Sequence, residues 1–133
     1  MRIGVVEVFV DDQERARKFY TDVLGFHVKV DASYGDTARW LTVVSSEAPD
    51  GPELLLAPMT AAAAALQAAR RETGTPAVSF TTANCFRSHH ELIGKGAVFL
   101  SEPHEKAYGG TDAVFEDGCG NLLNLHQDER ADS

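Results

Sequence analysis

Long apolar runs are missing from these 133 residues. No stretch approaches the ~18 consecutive apolar residues of a membrane-spanning helix. A membrane partner is therefore not expected, and the opening residues carry a strand pattern rather than signal-peptide features. Positive charge is also scarce: 12 Lys and Arg stand against 20 Asp and Glu, for a net charge of -8. A surface of that sign neither releases counterions from nucleic acid nor binds anionic lipid, so no nucleic-acid partner is expected and the charge serves solubility. Cysteine is limited to Cys85 and Cys119, which form no CxxC pair. That excludes a zinc knuckle and predicts free thiols in a reducing cytoplasm. Gly109-Gly110 and Gly118-Cys119-Gly120 lack the spacing and the following helix of a phosphate cradle, and no Gly-x-Ser-x-Gly nucleophile elbow occurs.

What is present is periodicity. Residues 3–10 alternate, with Ile3, Val5, Glu7 and Phe9 on one face and Val6, Val8 and Val10 on the other. Asp11 or Asp12 caps a helix, with Glu14 placed three after Asp11 as in a capping box. Ala16, Phe19, Tyr20, Val23 and Leu24 form its apolar stripe, and Gly25 stops it. Strands are predicted over about 26–31, 37–45 and 53–57, with a turn at Pro49-Asp50-Gly51. Residues 60–73 are alanine-rich, begin at Thr60 and end at Gly74, which predicts a connecting helix.

The opening pattern then returns. Residues 77–82 alternate, Asn84 caps a second amphipathic helix, and Gly96 stops it 71 positions after Gly25. Strands follow over about 97–100, 111–116 and 121–126. Each half reads strand–helix–strand–strand–strand, which predicts an internal duplication. The expected fold is α+β: one domain over 1–133, with a first βαβββ module at about 1–58, a helical connector at 59–75, a second module at 76–127 and a short tail at 128–133. The hydrophobic fraction of 44% is ample for one shared core. Two curved mixed sheets would leave a concave groove lined by alternate strand residues, the natural seat of a small ligand.

Val5-Val6-Glu7-Val8-Phe9-Val10-Asp11-Asp12, then Phe19-Tyr20 and Leu24-Gly25-Phe26, and the turn Asp117-Gly118-Cys119-Gly120-Asn121 resemble the vicinal-oxygen-chelate superfamily, the glyoxalases, bleomycin-resistance proteins and extradiol dioxygenases. The turn departs from that superfamily's commoner Asp-Pro-Asp-Gly-Asn, although its glycines keep the backbone freedom required. The resemblance implies a homodimer. It also implies four metal-ligand positions, which fall on Val5, Leu56 (or Leu55, if the preceding loop shifts by one), Ala77 and Asn124. The first three carry no donor atom, and a single neutral amide is a poor ligand. No metal and no cofactor are therefore expected.

Glu7 shares the parity of Val5, and His126 that of Asn124, so both are expected on inner faces. The predicted ligand-binding set is Val5, Glu7, Phe9, Leu56, Ala77, Ser79, Asn124 and His126. His104 and Tyr108 are candidates for a rim over the groove, or for a mobile surface loop. His89 and His90 belong on a helix surface, and Trp40 in the core or a cavity wall. The resemblance implies a binding or sequestering protein for an organic ligand. The alternative is a lyase, isomerase or dioxygenase with an atypical metal site or acid–base work by Glu7 and His126.

Overall fold

A computed structural model describes residues 1–36 and 38–129. Thr37, the first residue of one predicted strand, and residues 130–133 of the predicted tail lie outside the described residues.

Each half begins with a strand and a capped helix, and the two caps are alike. Strand β1 (Val5–Val10) leads to Asp12, whose extended backbone (φ -151°, ψ 107°) lets its carboxylate accept from the Arg15 amide and start α1 (Gln13–Lys18). Strand β5 (Val78–Thr81) leads to Asn84 (φ -146°, ψ 102°), whose amide oxygen accepts from the Arg87 amide and starts α3 (Cys85–Gly94). Asp12 rather than Asp11 is the first cap, and Glu14 forms no capping box. It pairs instead with Arg17 and Arg39, and the Arg17 hydrogen bond above all holds its carboxyl down at about 2.

The first helix changes pitch where a single α-helix is predicted. Phe19–Val23 forms a π-helical turn that ends at Gly25, whose φ of 76° suits glycine. Strands β2 (His27–Tyr34), β3 (Ala38–Val44) and β4 (Glu53–Pro58) complete a first sheet ordered β1-β4-β3-β2, with β1 parallel to β4 and the rest antiparallel. After α2 (Ala61–Thr73) come β5, α3, β6 (Val98–Phe99), β7 (His104–Glu105), β8 (Thr111–Glu116) and β9 (Leu122–Gln127). The second sheet runs β5-β9-β8-β6, with β5 parallel to β9 and β7 added alongside β8. Leaving β7 aside, the two sheets share one topology, as the duplicated pattern predicts.

Alternation along the strands sends one face of each sheet into a common core. Val8, Val10, Leu41, Val43, Leu54 and Leu56 come from the first sheet, Ala113, Phe115, Leu123 and Leu125 from the second, with Tyr20 and Cys85 from the helical segments. Phe26 meets Phe80 edge to face at 5.3 Å across the halves.

The halves are also joined by polar groups. The Phe9 carbonyl accepts from Gln67 Nε2 at 2.6 Å and from Asn121 Nδ2 at 2.9 Å, and Gln67 also donates to Asn121 Oδ1 at 2.9 Å. Asp117, 1% exposed, accepts from the Tyr20 hydroxyl at 2.8 Å, the Cys119 amide at 2.7 Å, the Asn121 amide at 3.0 Å and Asn121 Nδ2 at 2.8 Å. Helix α2 is thus more than a connector, because its Gln67 fastens β1 to the turn before β9.

Candidate ligand site

The faces turned away from the core carry the predicted site residues. On the first sheet, Val5, Glu7 and Phe9 lie opposite the core-facing Val8 and Val10, as alternation requires. The register places Glu7 beside Leu55 and Val8 beside Leu56. Parallel neighbours share a face, so Leu55 stands with Glu7 while Leu56 is wholly buried in the core. The assignment of Leu56 to the groove is therefore corrected to Leu55. Thr42 continues the row beyond Leu55 and donates to Glu53 Oε1 at 2.7 Å. Trp40 has the parity of Thr42 and is 39% exposed, so it lies on this outer face rather than in the core. Val5 is 45% exposed, and Glu7 is exposed too.

The second sheet builds a cleft of about 370 Å³. Ala77, Ser79 and Asn124 line it, together with Asp112, Lys106 and Tyr108. Ser79 lies beside Asn124 in the β5–β9 register, and Asn124 Nδ2 donates to Ser79 Oγ at 3.1 Å. His126, two positions on, faces Asp112 across the β8–β9 hairpin, with Nδ1 2.5 Å from Asp112 Oδ1. Tyr108 donates its hydroxyl to Asp112 Oδ2 at 2.5 Å. Burial pushes the Asp112 carboxyl up, and hydrogen bonds from Tyr108, His126 and Asn124 together outweigh burial, so its pKa lies below the ordinary carboxylate value.

The structure therefore brings Ala77, Ser79, Asn124 and His126 onto one face. Val5, Glu7 and Phe9 belong to the other sheet and line no part of this cleft. His126 takes Asp112 as its partner, not Glu7. Asp112 is the residue that sequence reasoning missed, and a signal existed. Counting outward from the 117–121 turn pairs Glu116 with Leu122 and so Asp112 with His126. Of the two residues that were candidates for a rim or a surface loop, Tyr108 lines the cleft, whereas His104 is exposed and bonds the Glu102 carbonyl at 3.0 Å.

Other candidates resolve into structure. His89 packs edge-on against Phe99 at 4.4 Å, and His90 is exposed on α3. Burial and then Asp117 push the Cys119 thiol up to about 12, and burial lifts Cys85 to about 11, so neither is a nucleophile near neutral pH. A second cavity, of about 190 Å³, lies on the helix side between Phe26, Phe80 and Leu92. It contains none of the predicted site residues.

Two βαβββ units sharing one core define the fold class, and residues 2–125 match the family described as the Glyoxalase/Bleomycin resistance protein/Dioxygenase superfamily. The chain belongs to that superfamily. Among its relatives, an uncharacterized protein, YurT of Bacillus subtilis (strain 168), is 42% identical over 128 residues, spanning 96% of this chain and 99% of that one. The crystal structure of UcmS2 is 30% identical with a TM-score of 0.80, covering 95% of this chain and 97% of that one. That of TnmS3, described as an antibiotic binding protein from Streptomyces sp. CB03234, is 25% identical with a TM-score of 0.74 and covers 96% of both chains.

The side chains do not fit the superfamily's divalent metal. Val5, Leu55 and Ala77 offer no donor, and the Asn124 amide is engaged with Ser79. Among the described residues no group of three or more His, Cys, Asp or Glu is placed to hold a metal ion.

Proposed function

We propose that this chain is a small-molecule-binding protein that holds or sequesters an organic ligand without a metal. The observation that carries the reading is the chemistry at the inherited ligand positions: Val5, Leu55 and Ala77 are apolar and Asn124 is neutral. Binding needs shape, apolar contact and a few oriented polar groups, all of which survive the loss of donors. The likeness to TnmS3 supports it, since that protein is described as antibiotic-binding. The alternative is a lyase, isomerase or dioxygenase using an atypical metal site or acid–base work by Glu7 and His126; Glu7 stands on the first sheet, whereas His126 is bonded to Asp112 on the second.

The reading extends to assembly and compartment. Val5 and Trp40 are 45% and 39% exposed on the first sheet's outer face, an apolar surface that a second copy would cover, completing each groove as a homodimer. Both cysteines are free and buried, in keeping with a reducing cytoplasm. No helix among the described residues is long and apolar enough to cross a membrane.

The test is a thermal-shift screen of apolar organic compounds, antibiotics included, run beside zinc, nickel, manganese and iron(II). A native-state ligand at ~100 times its Kd adds ~2.7 kcal/mol, a rise of several degrees for a domain of this size. Saturable stabilisation by an organic compound is expected. Saturable stabilisation by a metal, matched by stoichiometric metal in the purified protein, would overturn the reading in favour of an enzyme. Light scattering that gives a monomer mass at micromolar concentration would sink the dimer.

A further inference from the structure

Asp112 is 5% exposed, and its two side-chain hydrogen-bond partners are of two kinds. His126 stands on β9, the hydrogen-bonded neighbour of β8, and its position is set by the ladder. Tyr108 stands on the short loop between β7 and β8 and is 73% exposed, with only its hydroxyl tethered, to Asp112 Oδ2. The desolvated carboxylate needs a donor at Oδ2, because a buried acceptor left unpaired is costly. Nothing about that donor requires it to be Tyr108. The tyrosine ring already lies mostly in solvent and leaves by rotation about its own side chain.

The surroundings narrow what could replace it. Pro76, Ala77, Val78 and Val114 give the cleft apolar wall, which suits a ring. Lys106 lines the same cleft and disfavours a cationic ligand. Gly110, at φ 83°, lies so close to His126 that an added Cβ would come within 2.7 Å of the imidazole, so the loop carrying Tyr108 is seated against the Asp112 partner.

Resting on the binding reading above, we propose that the second-sheet cleft takes a neutral aromatic ligand bearing a hydroxyl, that this hydroxyl donates to Asp112 Oδ2, and that Tyr108 is its internal stand-in. Tyr108 therefore competes with the ligand. Removing its hydroxyl while keeping its ring opens the site and leaves Oδ2 wanting a donor.

The experiment is an NMR titration of the full chain with p-cresol, its methyl ether 4-methylanisole, and benzylamine. Tyr108→Phe is expected to bind p-cresol in the millimolar range, at least about fivefold more tightly than the parent protein, because the competing state is removed. The ether is expected to bind about tenfold more weakly than the phenol, for want of a donor to the carboxylate. Asp112→Asn should erase the preference for phenol over ether. Should Asp112→Asn fail to fold, the comparison of Tyr108→Phe with the parent protein still decides. Equal affinity for phenol and ether in Tyr108→Phe, no gain over the parent, no binding of p-cresol at all, or tighter binding of benzylamine would each overturn the hydroxyl anchor. Any of these would leave the general binding reading standing if the thermal-shift screen finds an organic ligand; a metal-only response in that screen fails the general reading itself.

Discussion

The two sheets have one topology and near-identical helix caps, yet their outer faces differ in kind. The first presents Val5, Phe9, Leu55 and Trp40 around a single exposed carboxylate, Glu7, with its one buried hydroxyl, Thr42, already paired to Glu53. The second carries two bonded polar groups, Ser79 with Asn124, and Asp112 with His126 and Tyr108. The repeated frame thus shares its core-facing alternation and its caps between the halves, while its two outer faces differ in polarity.

The largest effect is expected where neither half can be considered alone. Asp117→Ala removes the acceptor shared by Tyr20, Cys119 and Asn121, and burial together with Asp117 already lifts the Tyr20 hydroxyl well above its usual pKa. Stranding several buried donors should cost about 4 kcal/mol in urea unfolding. A loss under about 1 kcal/mol would show that the Asp117 bonds contribute little to joining the halves.

Next come the two faces of the first sheet. Leu56→Ala is expected to cost about 3 kcal/mol as a core cavity, whereas Val5→Ala, on the exposed face, should stay within about 0.5 kcal/mol. Equal costs would mean that the register separating Leu55 from Leu56 is wrong.

The caps give a smaller and symmetrical test. Asp12→Ala and Asn84→Ala should each cost about 1 kcal/mol in thermal or urea melts, because each side chain accepts from the third amide along its helix. Values that differ by more than about 1 kcal/mol would break the equivalence of the halves.

The smallest effect is read on the second face, by pH. The folded pKa of Asp112 lies below its ordinary value, so its charged pairing contributes stability that is fully present above about pH 4 and lost as pH falls through the lower folded value. Asp112→Asn should flatten part of the acid limb of stability against pH. An acid limb left unchanged by Asp112→Asn would refute that contribution.

Much of the frame is legible in the residues. Thr60, Asn84, Gly25, Gly74 and Gly96 mark helix ends through side-chain acceptors or positive φ, and they stand at those ends. The alternation of residues 3–10 places Val8 and Val10 inward because one face is buried and the other is not. Leu54-Leu55-Leu56 gave no such guide. All three are buried, so the run carries no period, and a one-residue slip could be settled only by the partner strand. The π-helical turn has no sequence signature here, since Phe19 and Tyr20 fit either pitch. Asp112 was readable but overlooked, because its meaning lies in its cross-strand partner and not in its own neighbours.

The Phe9 carbonyl gathers the Gln67 and Asn121 amides at one end of β1. At the opposite end Ile3, Val5 and Val6 are 69%, 45% and 45% exposed, and Gly4 is bonded only within its own half, to Glu53. Polar fastening of β1 to the second half is therefore concentrated toward its Phe9 end, so a substitution at the Val5 end leaves the bonds to Gln67 and Asn121 in place.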